Sequence, residues 1–285
     1  MLKNVRQHGM SLKQKFSLED QVFIVTGGLG LLGQQHVSAI AEFGGNTIIL
    51  DTNQNNGTQI TEKIKSDYNT DCLFIHCDIT DEKNVSEVKD EIIRKYDNID
   101  GLINNATIDP KISDAESETN FTRLENFSIN QWNKEINVGL TGAMLCSKIF
   151  GCEMANNNNG VILNIASDLS VIAPDQRIYK LDDINEIEQP VKPITYSVIK
   201  HGIIGLTKYL STYWADKNIR VNALSPGGVY SGQNENFVNK LSNLIPMNRM
   251  ADLDEYKAAI IFLLSDASSY MTGQNIIIDG GRSVW

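Results

Sequence analysis

Seven short runs of β-branched and other apolar residues recur along the chain: VFIV at 22–25, NTIIL at 46–50, CLFIH at 72–76, GLIN at 101–104, VILNIA at 161–166, IRVNAL at 219–224 and NIIID at 275–279. Between them the apolar positions fall at helical spacing, so the pattern predicts repeated βαβ units. The expected architecture is α/β: a doubly wound parallel seven-stranded sheet flanked by helices, in three layers. Residues 1–20 precede the first strand and lack its periodicity, so they are expected to form an N-terminal extension, with Met10 an alternative start and 21–285 the catalytic domain. The polar turn Asn156-Asn157-Asn158-Asn159-Gly160 releases the chain into the fifth strand. Two connections, about 108–130 and about 170–194, are long for compact α/β units. Such loops at the carboxyl ends of strands are where specificity sits, and 170–194 reads as an insertion near the substrate site.

Composition adds limits rather than detail. A chain of 285 residues, 41% hydrophobic, buries one sizeable core and needs no second domain. Its formal charge of −10 and pI near 4.9 argue against a general nucleic-acid binder, because holding backbone phosphates takes a positive field. An anionic small molecule would need a local basic patch. The four cysteines (72, 77, 146 and 152) form no C-x-x-C pair and the four histidines (8, 36, 76 and 201) are scattered. Free thiols and no metal site are expected, with Cys72 and Cys77 in or beside a strand. No apolar run approaches the roughly 18 residues of a membrane span and the N-terminus carries no apolar signal core, so a cytoplasmic location is expected.

The stretch TGGLGLLG at 26–33 follows the first strand and opens a helical segment, the position of a phosphate-cradling turn in a Rossmann fold. Gly27 permits the tight turn, while Gly30 and Gly33 let backbone approach a pyrophosphate and helix approach strand. The helix N-terminus then offers free N–H groups and the positive end of its dipole, which makes Gly27, Leu29, Gly30, Leu31 and Leu32 candidate dinucleotide contacts. The spacing is G-x-x-G-x-x-G rather than the G-x-G-x-x-G fingerprint. Asp51 follows the second strand, 18 residues beyond Gly33, where a carboxylate accepts from ribose hydroxyls and repels a 2′-phosphate. Neither 28–32 nor 52–56 offers an arginine or lysine, so NAD rather than NADP is the expected cofactor. Asp78 and Ile79 after the third strand, and Asn105 and Ala106 after the fourth, are further candidate adenosine contacts. Alone, each segment reads equally as a helix N-cap or a turn.

Tyr196 and Lys200 stand at i and i+4, hence on one helical face. An ammonium beside a phenol stabilises the phenolate, which brings a tyrosine toward general acid–base work near neutral pH. Ser167 ends the fifth strand and Asn137 lies in the preceding helix. With these four, the chain from 21 to 285 resembles the short-chain dehydrogenase/reductase family. The resemblance is carried by TGG at 26–28, Asp51, CDIT at 77–80, INNA at 103–106, Asn137, Ser167, Tyr196 with Lys200, IRVNALSPGG at 219–228 and TGQNIIIDGG at 272–281. It implies reversible alcohol–carbonyl interconversion with Tyr196 exchanging the proton with the substrate oxygen and Ser167 hydrogen-bonding that oxygen. Lys200 would bind the nicotinamide ribose and lower the tyrosine pKa, and Asn137 would hold a water linking Lys200 to solvent. Pro226, Gly227 and Val229 would lie along the nicotinamide.

Three departures stand out. Leu31 occupies the place of a glycine in the T-G-x-x-x-G-x-G turn, Thr107 replaces the glycine of NNAG, and Ser167 and Tyr196 are 29 residues apart. Sugar-nucleotide epimerases and dehydratases share the glycine spacing and the wider gap, and are the alternative; SPGG and DGG resemble the shorter oxidoreductases instead. A catalytically silent dinucleotide sensor is the remote third reading. Within the short branch, the segment from Pro193 to Phe237 resembles oxidoreductases of flagellin modification and surface-glycan synthesis, which implies a sugar or amino-sugar substrate. Arg177, Lys180 and Lys192 are candidates to grip an anionic group, and Tyr179, Tyr230 and Asn234 candidates to face the pocket. The resemblance also implies a homotetramer or homodimer built on the helices near 131–155 and 196–215, where Met144, Leu145, Ile149 and Phe150 are numerous for one buried stripe.

Overall fold

The structure is a computed structural model that describes residues 9–109, 119–182 and 184–285, so part of the 108–130 connection lies outside the described residues. The chain runs α1 (Leu12–Lys15), β1 (Val22–Thr26), α2 (Leu31–Glu42), β2 (Asn46–Asp51), α3 (Gly57–Tyr68), β3 (Cys72–His76), α4 (Glu82–Tyr96) and β4 (Gly101–Asn104). After the first long connection come α5 (Ile129–Ile136), a π-turn at Asn137–Thr141, α6 (Gly142–Asn156), β5 (Gly160–Ile165), α7 (Ile194–Tyr213), β6 (Ile219–Pro226), α8 (Glu235–Ser242), α9 (Lys257–Leu264) and β7 (Asn275–Ile278). All seven strands pair in parallel in the order β3-β2-β1-β4-β5-β6-β7. The order reverses between β1 and β4, and a ligand crevice opens at such a switch point, beyond the carboxyl ends of the strands.

Successive side chains of a strand point to opposite faces, and both faces here are covered. Phe23 and Val25 of β1 pack with Val37 and Ile40 of α2 and Ile260 and Leu264 of α9. Val22 and Ile24 pack with Val85, Val88 and Ile92 of α4 and Cys146, Phe150 and Met154 of α6. That is why the strands read as unbroken apolar runs.

Residues 9–20 of the expected N-terminal extension are described and partly docked. Ser11 caps α1 in a reciprocal box with Gln14, and Leu18 is fully buried in the core, its N–H donating to the Phe43 carbonyl at 2.9 Å. Fully burying one leucine is worth about 1.5–3 kcal/mol, enough to hold the segment on the domain. In α6, Leu145 and Phe150 are buried, Ile149 is half-buried and Met144 is exposed. Cys72, Cys77 and Cys146 are buried free thiols and Cys152 is exposed. Among the described residues no helix is long and apolar enough to cross a membrane, and no cluster of His, Cys, Asp and Glu is arranged to hold a metal ion.

Candidate active site

A cleft of about 1450 Å³ opens over the carboxyl ends of the strands. At its inner end the glycine turn is drawn tight by contacts that leave no room for side chains. Gly27 has φ +63, and a Cβ on Gly33 would stand 2.2 Å from the Gly27 carbonyl oxygen, backbone that cannot swing aside. Gly30 is the N-cap of α2 with no side-chain cap bond, so the helix presents its leading N–H groups to the cleft. The turn is braced from the neighbouring strand. Thr26 Oγ1 accepts the N–H groups of Asn105 (3.0 Å) and Ala106 (3.1 Å) and donates to the Ile103 carbonyl at 3.3 Å. Asn105 Nδ2 donates to the carbonyls of Thr26 and Gly27, both at 3.0 Å.

Gly27, Gly30, Leu31, Leu32, Asp51, Asp78, Ile79, Asn105 and Ala106 all line this half of the cleft. Leu29 does not: its N–H donates to Asp51 Oδ2 at 3.1 Å and its side chain packs against the core. That bond, with the Asn53 N–H on Oδ1 at 3.0 Å, fixes the Asp51 carboxylate at the end of β2. Asp78 Oδ1 is engaged by the N–H and hydroxyl of Thr80, which shapes the turn into α4.

Asn137, Ser167, Tyr196 and Lys200 converge on the other half of the cleft. Asn137 sits where the α5–α6 helix widens into the π-turn, Gly142 N–H reaching back to its carbonyl. Ser167 lies just past β5, and Tyr196 is in the first turn of α7 with Lys200 one turn on. Lys200 is buried, Nζ donating to the Ile165 carbonyl at 2.9 Å and lying 5.6 Å from the centroid of the Tyr196 ring. Burial, with Lys192 adding to it and Asp109 opposing, brings the Lys200 ammonium down to about 8. Burial pushes the Tyr196 phenol above its ordinary value and Asp109 adds to this, while the Ser167 hydroxyl works the other way.

The outer walls come from two segments. Pro226, Gly227 and Val229 line the cleft as β6 exits, held by Gly227 N–H to the Ile278 carbonyl (2.8 Å), the Tyr256 hydroxyl to the Gly227 carbonyl (3.2 Å) and a bridge between Val229 and Ala251. Opposite, the described residues of the 170–194 insertion include short 3-10 turns at Gln176–Tyr179 and Glu186–Glu188, pinned by Gln189, whose amide bonds Leu181 and Ile184. Tyr179 packs on Phe237 of α8, ring centroids 5.6 Å apart. Lys192 lies 3.8 Å over the Tyr196 ring and pairs with Asp109 at 2.6 Å. Tyr179, Lys180, Lys192 and Asn234 line the cleft, whereas Arg177 and Tyr230 do not. Arg177 is solvent-facing and bound to Asp175 at 2.6 Å, and Tyr230 is exposed.

Sequence reasoning missed two residues here, Asp168 and Arg282. They form a buried ion pair at 2.7 Å, and Asp168 Oδ1 also accepts the Ser167 hydroxyl at 2.8 Å. The acidic neighbour of Ser167 was visible in the chain; its partner, 114 residues away, was not.

A glycine turn at the switch point, an acidic residue closing the second strand, and a tyrosine with a buried lysine one helical turn away define a class, the dinucleotide-dependent oxidoreductases of doubly wound fold. Comparison with known proteins narrows it. The short chain dehydrogenase family profile matches residues 21–179, and that described as enoyl-(acyl carrier protein) reductase matches 185–283. The chain belongs to the short-chain dehydrogenase/reductase family, and is an oxidoreductase of the kind that binds a nicotinamide dinucleotide. It is 30% identical to an NAD-dependent glycerol dehydrogenase of Listeria innocua, over 94% of this chain and 96% of that one. It is 28% identical to post-translational flagellin modification protein A of Campylobacter coli (93% and 98%) and 30% identical to an NADP-dependent mannitol dehydrogenase of Alternaria alternata (96% and 96%). Among solved structures it resembles NAD+-bound xylitol dehydrogenase, with 26% identity and a TM-score of 0.80 over 93% of this chain and 99% of that one.

Proposed function

We propose that the protein is an NAD-dependent dehydrogenase/reductase that interconverts an alcohol and a carbonyl on a polyol or a sugar-type substrate. The observation that carries this is the convergence of Ser167, Tyr196 and buried Lys200 on one cleft with the glycine turn and Asp51. The turn fits a pyrophosphate because its glycines let the chain pack tightly enough to bring the α2 N-terminus to the cleft, and that terminus has no side-chain cap. Asp51 favours NAD: it accepts ribose hydroxyls, repels a 2′-phosphate, and has no arginine or lysine within 28–32 or 52–56 to offset that charge.

When bound, the nicotinamide supplies the hydride acceptor or donor. The chain supplies the proton chemistry. Tyr196 gives or takes the proton at its phenolic oxygen, and Ser167 hydrogen-bonds the substrate oxygen. With Tyr196 pushed above the usual phenol value, its anion needs positive charge nearby, which Lys200 and Lys192 provide at 5.6 and 3.8 Å from the ring centroid. An ammonium has three donors, so Lys200 keeps two for the cleft beyond the one on Ile165. Asn137, opened to the cleft by the π-turn, is placed to order solvent beside Lys200. The short branch is favoured over an epimerase or dehydratase by the short chain dehydrogenase match over 21–179 and by the likeness to a glycerol dehydrogenase over 96% of that protein's length. The sugar or amino-sugar reading, in flagellin or surface-glycan modification, is supported by the likeness to the Campylobacter protein. We further propose a cytoplasmic homotetramer or homodimer, in which the exposed Met144 of α6 is covered; light scattering on the eluted protein reads its mass directly.

The test is a panel of glycerol, D-threitol, xylitol, hexoses and amino sugars with NAD+ and NADP+. Stoichiometric growth of the NADH band is expected. Product without that band would indicate the epimerase or dehydratase, and a clear preference for NADP+ would remove the role given to Asp51. Tyr196→Phe is expected to bind NADH as wild type does while turnover falls about 10²–10⁴-fold, the usual share of acid–base catalysis. Unimpaired turnover refutes the assignment.

A further inference from the structure

The Ser167 hydroxyl is already engaged by its neighbours in the wall of the cleft, which Asp168, Leu169 and Arg282 also line. It donates to Asp168 Oδ1 at 2.8 Å and accepts the Leu169 N–H at 3.2 Å. A hydroxyl has one proton and two lone pairs, so one lone pair is left over. Asp168 is itself held on both oxygens: Oδ1 also takes the Leu169 N–H at 2.8 Å, and Oδ2 takes Arg282 Nη1 at 2.7 Å. The pair is buried, with 4% and 8% of the two side chains exposed, and Arg282 reaches it from the 3-10 turn that follows β7. Desolvating two charges is costly, and a fold needing only an anchor gains as much from apolar contact. What apolar contact does not supply is a direction for a neighbouring hydroxyl.

We propose that Asp168 and Arg282 are positioning residues that set the direction of the Ser167 hydroxyl. The inference rests on the reading of Ser167, Tyr196 and Lys200 given above. A serine side chain on an extended strand end has three staggered wells and a freely turning hydroxyl. The carboxylate selects one arrangement, with the oxygen fixed by Leu169 N–H and the proton on Asp168. Arg282 draws part of the carboxylate charge to itself. The Ser167 proton is therefore held by a paired rather than a bare anion, and the one remaining lone pair is presented in a single direction, to accept from a substrate hydroxyl. The last turn of the domain thereby reaches the serine through one side chain.

The test is a double-mutant cycle on the whole chain, with NAD+ and the panel polyol of highest turnover. Asp168→Asn is expected to lower kcat about tenfold or more, with NADH affinity from fluorescence titration unchanged within about twofold. In a Ser167→Ala background the same change is expected to cost nothing further, because its route to the chemistry is gone. Equal losses in both backgrounds, or wild-type kcat in Asp168→Asn, overturn the proposal. Asp168→Glu keeps the charge pair with Arg282 but moves the carboxylate off Ser167, so the cycle is run with it as well, and stands in if Asp168→Asn does not fold. It is judged by the same two outcomes. Tyr196→Phe in the same assay separates the failures: if it remains active the reading of the whole site falls, whereas additive losses beside an inactive Tyr196→Phe remove only the positioning role.

Discussion

Lowering the pH from 6.5 to 4 is expected to weaken the fold through one side chain, His36. It lies on α2, wholly buried, and neither ring nitrogen has a hydrogen-bond partner among the described residues. Burial disfavours the imidazolium and brings the pKa from 6.5 to about 4, with the Asn105 side chain opposing in part. Between those values the unfolded chain takes up a proton that the folded chain refuses. The stability is therefore fully present above pH 6.5 and is lost as pH falls toward 4. At about 1.4 kcal/mol per unit, the difference is worth about 3 kcal/mol. A chain of this length unfolds with an entropy of about 0.6 kcal/mol/K, so Tm should drop by about 5 °C across the window. Calorimetric scans at half-unit steps, on wild type and His36→Leu, provide the measurement. The leucine removes both the titrating group and the two unpartnered nitrogens, so its Tm should be flatter from 6.5 to 4. Asp71, whose bonds to Lys95, Tyr96 and Lys65 outweigh its burial and hold it well below the usual carboxylate range, acts below this window in both proteins. Parallel Tm curves for the two proteins would refute the reasoning.

Two other perturbations separate the cofactor turn from the chemistry. Gly33→Ala places a Cβ 2.2 Å from the Gly27 carbonyl, so α2 has to move off the turn; a stability loss of about 1–3 kcal/mol and loss of NADH binding by titration are expected. Gly205→Ala in α7 meets nothing within 4 Å and should stabilise the helix by up to about 1 kcal/mol with NADH binding intact, so equal behaviour of the two variants would contradict the geometry. With burial holding Lys200 to about 8, kcat/KM should fall above that pH as the ammonium is lost. Lys200→Arg keeps its charge to above pH 12 and should lower the maximum rate while removing that alkaline limb; a limb left at the same pH would assign it to another group.

The strands were legible because burial on both faces leaves its mark locally: CLFIH and GLIN coincide with β3 and β4 to the residue, and the other five are within two residues at either end. Tyr196 and Lys200 were legible because helical geometry converts a spacing of four into a shared face. Pairings between distant segments left no such mark. Asp168 meets Arg282, and Lys192 meets Asp109, only because the chain folds, and no periodicity connects them. Leu29 shows the limit within a motif. Glycine spacing located the turn, but whether a backbone N–H faces the cleft or Asp51 depends on the turn's path, which the spacing does not encode. The docking of Leu18 was hidden for a related reason: one apolar residue carries no period, although one is enough to attach a segment.

Thr26 carries a consequence for how freely this chain can vary. Its hydroxyl spends one proton and two lone pairs on Ile103, Asn105 and Ala106, tying the ends of β1 and β4 together beneath the turn. Valine has nearly the same shape yet would take the acceptor from two amides at once, so the substitution that looks mildest by volume is among the worst there. Serine preserves all three bonds and gives up only a methyl group. Position 26 thus admits an alphabet of about two letters, and libraries built to change the protein's dinucleotide or substrate preference should leave it untouched.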